Sequence, residues 1–195
     1  MAVRILLAAL LVATPALAQT RPEPVPRMDV AVTYTNTPVE GPATEMRIAF
    51  HAASGTFRVD PPAQAGSEAG APIYILSRRG TAQAMMVMEN RQAYLALDGD
   101  ANMLRDLEVA LASGRAQRLG SVRVANMACT QWRLPEPALG QACISTRGVL
   151  LRRELPQGGG LEATDVDLRP QDAARFRLPD GFRAITLDEM FTPPQ

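Results

Sequence analysis

The sequence predicts an α+β protein in which one antiparallel sheet carries a single main helix. Three observations lead to this class. Residues 73–97 contain three short apolar runs separated by turn residues, which is typical of an antiparallel meander. Residues 101–113 carry apolar side chains at helical spacing. Residues 122–153 predict a β-hairpin that holds both cysteines of the chain.

The strands that precede the helix are predicted from alternation. Residues 28–35, 45–51 and 56–60 place apolar side chains at every second position, as half-buried strands do. Residues 61–72 are small and rich in Pro, Gly and Ala, so we expect an exposed loop. The runs at 73–77, 81–89 and 92–97 complete the first half of the sheet.

Residues 101–113 predict an amphipathic helix with a signal at each end. Asp98 and Asp100 offer N-terminal caps, and Gly114 stands where a C-terminal cap belongs. Its apolar stripe has only the sheet to pack against. The stripe consists of Met103, Leu104, Leu107, Ala110 and Leu111.

Cys129 and Cys143 are predicted to form a structural disulfide across the hairpin. If they lie directly opposite each other, Trp132 faces Gly140 and residues 135–137 form the loop. Trp132 then lies on the core face and the disulfide on the outer face. The cysteines lack the Cys-x-x-Cys spacing that is typical of redox-active pairs, which favours a structural role.

The remainder of the chain continues the sheet. Residues 148–155 and 161–168 predict two further strands around a glycine-rich turn. We expect one helical turn within residues 170–176 and a short helical end at 187–191. No internal repeat or domain linker is visible, so residues 28–191 are interpreted as one domain.

Residues 1–18 predict a signal peptide. A short basic start with Arg4 precedes an apolar run at 5–13 and a small-residue cleavage site that ends at Ala18, before Gln19. Nine apolar residues are too few to span about 30 Å of hydrocarbon as a helix. We therefore expect a periplasmic or secreted mature protein with a proline-rich lead-in at 19–27, no integral membrane segment and an oxidised cysteine pair.

Charge and motif content argue against two classes of function. All 20 basic residues are arginines, and they are scattered and balanced by 20 acids, so a nucleic-acid-binding stripe is not predicted. His51 is the only histidine, and alternation turns it outward at a strand end, which predicts an exposed residue without a catalytic role. The pair Asp165 and Asp167 lacks nearby aromatic platforms for a glycosidase. No enzyme, metal or cofactor is predicted.

The order of elements resembles a known type. The features that carry the resemblance are the opening strand pair and the segments Thr56–Asp60, 128–132 with 142–144, 148–152 and 176–182. Across residues 28–190 they are similar to exported bacterial domains of unknown function with the outer-membrane lipoprotein-carrier (LolA/LolB-like) fold. The resemblance implies a curved antiparallel half-barrel with the helix on its concave face, where the carriers hold acyl chains. It transfers no ligand-binding residue, because none of these segments is a binding motif.

Two interpretations of the inward apolar side chains remain open: a filled core, or a cavity for an apolar ligand lined by pliable Met and Leu. The leading hypothesis is a non-enzymatic binding protein for a lipid, an acyl chain or a lipidated partner. The alternatives are an envelope-interaction protein with a filled core and a copper-binding protein that uses Met85, Met86 and Met88. The predicted pocket residues are Met46, Ile48, Phe50, Phe57, Val59, Ile75, Met86, Met88, Leu104, Leu107 and Trp132.

Overall fold

The computed structural model describes residues 25–62, 73–81, 83–97 and 103–191, with backbone only for Met103 and Leu104. The predicted signal peptide, most of the proline-rich lead-in, most of the 61–72 loop and the predicted helix caps at Asp98 and Asp100 lie outside the described residues.

The described residues form one 12-stranded sheet and two helices, which confirms the α+β class. The elements are β1 (Val30–Thr37), β2 (Thr44–His51), β3 (Thr56–Asp60), β4 (Ile73–Arg78), β5 (Ala84–Met88), β6 (Ala93–Leu97), α1 (Met103–Ala112), β7 (Gln117–Val124), β8 (Met127–Arg133), β9 (Gln141–Ser145), β10 (Leu150–Glu154), β11 (Gly160–Asp167), β12 (Arg183–Ile185) and α2 (Leu187–Phe191).

The sheet consists of two antiparallel meanders that meet in its middle. Its order is β12-β6-β5-β4-β3-β2-β1-β11-β10-β9-β8-β7. Strands β1 to β6 form the first meander, strands β7 to β11 form the second, and β1 pairs antiparallel with β11 to join them. Among the described strands, only β12 is parallel to its neighbour, β6. The sheet is curved and unclosed, as the half-barrel prediction required.

Helix α1 packs on the concave face over the second meander. Its buried residues Leu107, Ala110 and Leu111 form a cluster with Trp132 and Ile144 of β8 and β9. The helix ends at Ala112, and Gly114 follows with a φ of +71°, the left-handed conformation that glycine adopts without strain. The predicted placement of the helix on the concave face is thus confirmed.

The opposite face is covered by residues 168–182, which we call the C-terminal strap. Phe176, in a 3-10 turn at Ala173–Phe176, packs on Ala31 and Ala49. Leu178 and Phe182 pack on a second cluster, which comprises Tyr74, Leu76 and Val87. The strap then leads into β12. The central strands are therefore covered on both faces.

The disulfide between Cys129 and Cys143 is confirmed, but the predicted register of the hairpin is wrong by two residues. Cys129 lies opposite Ser145, and Cys143 lies opposite Gln131, so the bond joins diagonal neighbours whose Cα atoms are 5.5 Å apart. The loop is longer than expected because a 3-10 turn at Pro137–Leu139 occupies it, and the N–H of Leu134 donates to the carbonyl of Gly140.

The expectation of an outer, exposed disulfide face is also wrong. Cys129 and Cys143 are only 3% and 2% exposed and belong to the main core cluster with Val124, Val149 and Leu151. The sheet is therefore buried on both sides at this point, and the disulfide stabilises the core directly.

Strand β7 was not predicted, because the turn before β8 contains neither Gly nor Pro. The two turn residues are Ala125 and Asn126, with φ of +46° and +60°. Positive φ at both central residues is typical of a type I′ hairpin turn, where Asn is favoured but Ala is uncommon. The segment at 117–133 is therefore a hairpin of its own.

Replacing both cysteines by serine should lower the free energy of unfolding by roughly 3 kcal/mol, since the bond closes a loop with a sequence separation of 14. Urea unfolding followed by circular dichroism measures this. Wild-type protein under reductant should unfold at the same urea concentration as the double variant. A double variant as stable as the oxidised protein would contradict the assignment, as would free thiols in the native wild type.

Asp29 connects the start of β1 to the strap. Its carboxylate accepts hydrogen bonds from the backbone N–H groups of Ala52 and Gln171, both at 2.8 Å. Desolvation alone would raise the pKa of Asp29, but the two backbone hydrogen bonds and nearby His51 outweigh it and hold the pKa below its ordinary value. The ionised carboxylate therefore stabilises the fold.

Asp29→Asn should destabilise the protein at pH 7 by about 1.5–3 kcal/mol, because asparagine presents an N–H₂ group to one of the two donors. Because the folded pKa is lowered, the stabilisation is full above the ordinary pKa and is lost as pH falls through the folded value. Urea unfolding at pH 7 and pH 3 should show the difference from wild type shrinking at low pH. The exposed Asp180→Asn serves as control, and an equal deficit at both pH values would contradict this account.

Candidate functional site

A cavity of about 300 Å³ lies between α1 and strands β1 to β3. Most of its lining is apolar, and charged side chains occur at one side. Three groups of residues form it: the sheet floor, the helix, and the two connections at 79–81 and 148–150 together with Val25 and Pro26. The lining residues are Val25, Pro26, Val30, Val32, Tyr34, Ile48, Ala49, Phe50, Phe57, Arg79, Gly80, Thr81, Arg105, Leu107, Glu108, Val109, Ala112, Gly148, Val149 and Leu150.

The register of the first meander builds the cavity floor. Val30 lies opposite Phe50, and Phe50 lies opposite Phe57, so one row of apolar side chains crosses three strands. The next row begins with Val32 opposite Ile48. The rings of Phe50 and Phe57 have centroids 4.6 Å apart and pack at a tilt. Residues at alternate positions therefore converge on the same concave surface.

Helix α1 forms the roof. Leu107 is buried and faces both the cavity and the cluster around Trp132. Val109 and Ala112 line the cavity and are nevertheless exposed, which shows that the cavity opens to solvent beside this side of the helix. The helix closes the cavity over the second meander and leaves an opening towards the first.

Tyr34 is the buried polar group of the floor. It is 3% exposed, and its hydroxyl donates a 2.7 Å hydrogen bond to the carbonyl of Leu150. Burial raises the pKa of Tyr34 well above its ordinary value, so the phenol stays neutral and acts as a donor. A bulge in β11, where Thr164 is the extra residue opposite Thr33 and Tyr34 of β1, accompanies this arrangement.

The mouth of the cavity is charged. Arg79, in the turn between β4 and β5, places its Nε 3.3 Å from Oε1 of Glu108 on α1. Arg105 and Thr81 complete the polar side of the lining. The pair is partly solvent-exposed, so it contributes little to stability. It does connect the first meander to the helix across the opening.

The structure brings four of the predicted pocket residues to this cavity: Ile48, Phe50, Phe57 and Leu107. Trp132 lies beneath α1 in the neighbouring cluster. Leu104 has no described side chain. The cavity therefore includes predicted residues from β2, β3 and α1.

The other predicted residues share the concave face but lie away from the cavity. Met46 and Val59 are half-buried against the main core. Ile75 lies opposite Met86, and Met86 and Met88 pack with Leu95 and Ile185. Alternation identified their face correctly, but their distance from α1 depends on strand order. A ligand site at these five residues stays a prediction.

Sequence reasoning missed the part of the lining contributed by Val25, Pro26 and residues 148–150. Gly148 has a φ of +78°, and a Cβ at this position would meet the carbonyl oxygen of Val25. Glycine is therefore required for the close approach of the lead-in to this turn. The proline-rich composition of the lead-in gave no sign that Val25 is buried.

The copper hypothesis finds no support. Met85 packs with the cluster of Tyr74, Leu76 and Val87 on the strap side, whereas Met86 and Met88 belong to the cluster on the concave side. Three thioethers on opposite faces of one strand cannot ligate one ion. Within the described residues, no group of three or more His, Cys, Asp or Glu side chains could hold a metal.

His51 is half-buried, so the prediction of an exposed histidine is wrong. Its ring stacks on Phe176 of the strap with centroids 5.3 Å apart, and its Nδ1 lies 2.9 Å from Oγ of Ser54. The strap therefore covers the end of β2. His51 has a packing role there, on the face opposite the cavity.

Comparisons with known proteins support the fold. The sequence matches no protein-family model and no curated protein. An uncharacterized conserved protein from Thermus thermophilus has a similar structure, with a TM-score of 0.54 and 12% identity over 82% of this chain and 90% of that chain. This likeness shows the fold alone.

MucB in complex with MucA(peri) is also similar, with a TM-score of 0.48 and 11% identity over 82% of this chain and 57% of that chain. The MucA/MucB complex of Pseudomonas aeruginosa gives a TM-score of 0.39 and 11% identity over 82% and 58%. The chain thus spans little more than half the length of MucB. At these TM-scores we base no conclusion on the likeness.

No helix among the described residues is long and apolar enough to cross a membrane.

Tyr34→Phe should lower the free energy of unfolding by about 1–3 kcal/mol, because it leaves the Leu150 carbonyl without its buried donor. Thermal or urea unfolding measures the change. Tyr94→Phe, at a half-buried tyrosine on the strap side, is the matched control. Equal stability of Tyr34→Phe and wild type would show that water or another group replaces the hydroxyl.

Proposed function

We propose that the protein is an exported, periplasmic binding protein without enzymatic activity, which takes an acyl chain or a similar apolar ligand into the cavity between α1 and β1 to β3. The observation that carries the proposal is the cavity itself. Protein interiors are otherwise close-packed, and an open apolar space beside buried Val32, Ile48 and Phe50 is costly to leave unfilled.

The dimensions of the cavity limit the ligand. A volume of about 300 Å³ lies at the lower end of the range for small-molecule sites. Each buried CH₂ group contributes about 0.8 kcal/mol, so eight methylenes would contribute roughly 6 kcal/mol. Loss of ligand freedom offsets part of this, which favours micromolar to millimolar affinity for one short chain.

The charged mouth would hold a polar head group. Arg79, Arg105 and Glu108 place two positive charges and one negative charge at the opening. The apolar tail of an amphiphile can enter the cavity while its head stays at this rim. Guanidinium groups bind carboxylates well, so we propose an acidic head group, such as a carboxylate, for the ligand.

Two observations support export. The pattern at residues 1–18 is that of a signal peptide. The disulfide between Cys129 and Cys143 is of a kind that persists in oxidising compartments.

The polar groups of the lining support a binding role over catalysis. The hydroxyl of Tyr34 is engaged with Leu150, and Arg79 is engaged with Glu108. His51 packs against Phe176 on the opposite face. The hydroxyl of Thr81 donates to the carbonyl of Arg78.

The experiment uses N-phenyl-1-naphthylamine, whose fluorescence rises in apolar sites, with dodecanoate as competitor. Wild type should bind the dye saturably and release it to dodecanoate. Ala112→Phe should weaken binding about tenfold, because Ala112 is exposed and lines the opening, so the ring can occupy the cavity without replacing a core residue.

Two control variants locate the site. Ala174→Phe adds the same bulk to the exposed strap, and Met86→Arg changes the concave face away from the cavity. Both should bind the dye within twofold of wild type. Absence of saturable binding would reject the proposal and favour an envelope-interaction protein with a filled core. Weakening by Met86→Arg alone would move the site to the β4 to β6 end.

A further inference from the structure

Strand β7 forms one end of the open sheet. Among the described strands its only hydrogen-bonded neighbour is β8, and β11 approaches it without backbone pairing, in the cluster that Val122 and Val124 share with Val166. The stretch from Gln117 to Arg123 is exposed or half-buried, and only Val124 at its end is buried. An unpaired edge of this length presents backbone donors and acceptors to another extended chain.

The type I′ turn identifies which backbone groups of β7 point away from β8. In such a turn the carbonyl of the first residue, Val124, bonds the N–H of the fourth, Met127. Hydrogen-bonded and non-hydrogen-bonded pairs alternate along an antiparallel ladder. Val122 and Cys129 are therefore a hydrogen-bonded pair, whereas Ser121 and Arg123 direct their N–H and carbonyl groups to the free edge.

The charge on this edge is of one sign. No Asp or Glu occurs between Glu108 and Glu136, whereas four arginines lie in that interval: Arg115, which pairs with Glu136, and Arg118, Arg123 and Arg133. Arg118 and Arg123 are exposed, and they donate hydrogen bonds to the neutral Ser121 hydroxyl and Asn126 carbonyl. In a chain whose total charge is balanced, β7 is therefore a local positive surface.

The two faces of β7 differ in chemistry. The register with β8 places Arg118, Ser121 and Arg123 on the face of Trp132 and Thr130. Val122 lies opposite Cys129 and shares the other face with Val124. A bulge between Arg118 and Gly120 adds one residue to β7, and Arg118 therefore lies on the same face as Ser121 and Arg123. An added strand would meet arginine and valine at alternate positions.

We propose that β7 binds an extended acidic segment of a partner protein, which adds a strand to the sheet. Acidic side chains at every second position of that segment pair with Arg118 and Arg123, and the intervening apolar side chains pack beside Val122. A second copy of this chain is disfavoured as occupant, because two β7 strands would place arginines against arginines. This surface is separate from the cavity and does not depend on its ligand.

The test uses a fluorescein-labelled peptide, Glu-Val-Glu-Thr-Glu-Val-Glu-Thr, followed by fluorescence anisotropy. Wild type should bind it saturably, with affinity that falls as salt rises, and should not bind a peptide with Gln in place of Glu. The double variant Arg118→Glu/Arg123→Glu should bind about tenfold more weakly or worse. Arg177→Glu, which reverses one charge on the exposed strap, should stay within twofold of wild type.

Ser121→Pro separates strand addition from simple charge attraction. Proline at position 121 removes a backbone N–H that does not bond to β8, so the fold should persist. The peptide, however, can no longer accept a hydrogen bond from that N–H. Binding should again fall about tenfold. In wild type, the amide protons of Ser121 and Arg123 should exchange fast alone and slowly with saturating peptide, a readout that needs no variant.

Several results would overturn the proposal. One is that Ser121→Pro and the charge-reversed variant still bind the peptide as wild type does. Another is that Arg177→Glu weakens peptide binding as much as the double variant does. A third is that saturating peptide does not slow amide exchange at Ser121 and Arg123. Dimerisation of the chain itself that Ser121→Pro abolishes would also overturn it, since the occupant would then be a second copy.

Discussion

The pairing of β1 with β11 is the interaction on which the rest of the structure depends. It joins two meanders that are otherwise separate along the chain. Thr164 on β11 donates its hydroxyl hydrogen to the carbonyl of Thr33 on β1, 131 positions away. The Tyr34 hydroxyl then reaches beyond β11 to Leu150 on β10. Without this junction each half would have one more open edge and no shared concave surface.

The junction explains why a cavity exists. Twelve strands spaced about 4.8 Å apart make a sheet roughly 50 Å wide along its curve. Helix α1 has 10 residues and is about 15 Å long. One such helix cannot cover the whole concave face. It is held over the second meander by Leu107, Ala110 and Leu111, and β1 and its neighbour β2 remain under its edge.

The two faces of the sheet are covered by different means. The strap follows the sheet without a long helix, so Phe176 and Leu178 can each reach a separate buried cluster. A rigid helix on the concave side meets a curved surface along one line only. Space therefore remains beside α1, whereas the described residues beneath the strap pack closely, with Ala49 and Val87 fully buried.

Local patterns predicted the elements well and their long-range arrangement poorly. Alternation predicts β1 to β6 within a few residues, because a half-buried strand must alternate. The amphipathic spacing predicts α1 for the same reason. The hairpin register was missed because a 3-10 turn at Pro137–Leu139 lengthens the loop, and β7 was missed because Ala125 adopts a positive φ against its preference.

The candidate site shows the same limit. Met86 and Phe50 both alternate inward, and nothing local distinguishes them. Only the strand order, with β1 at the junction and β5 near the far edge, places Phe50 under α1 and Met86 beyond it. That order is fixed by contacts between residues far apart in sequence, which periodicity does not report. The contact between Val25 and Gly148 was missed for the same reason, because it joins two segments that are far apart in sequence.

The strap has a consequence for biogenesis. Tyr74, Leu76, Val87 and Ala49 belong to the first half of the chain, but the residues that shield them lie near its end. A polypeptide that is synthesised or translocated from its N-terminus would therefore expose this surface until the last segment arrives. During that interval the nascent first meander is a natural client for a chaperone. Premature termination before Phe176 would leave this apolar surface exposed and favour aggregation or proteolysis.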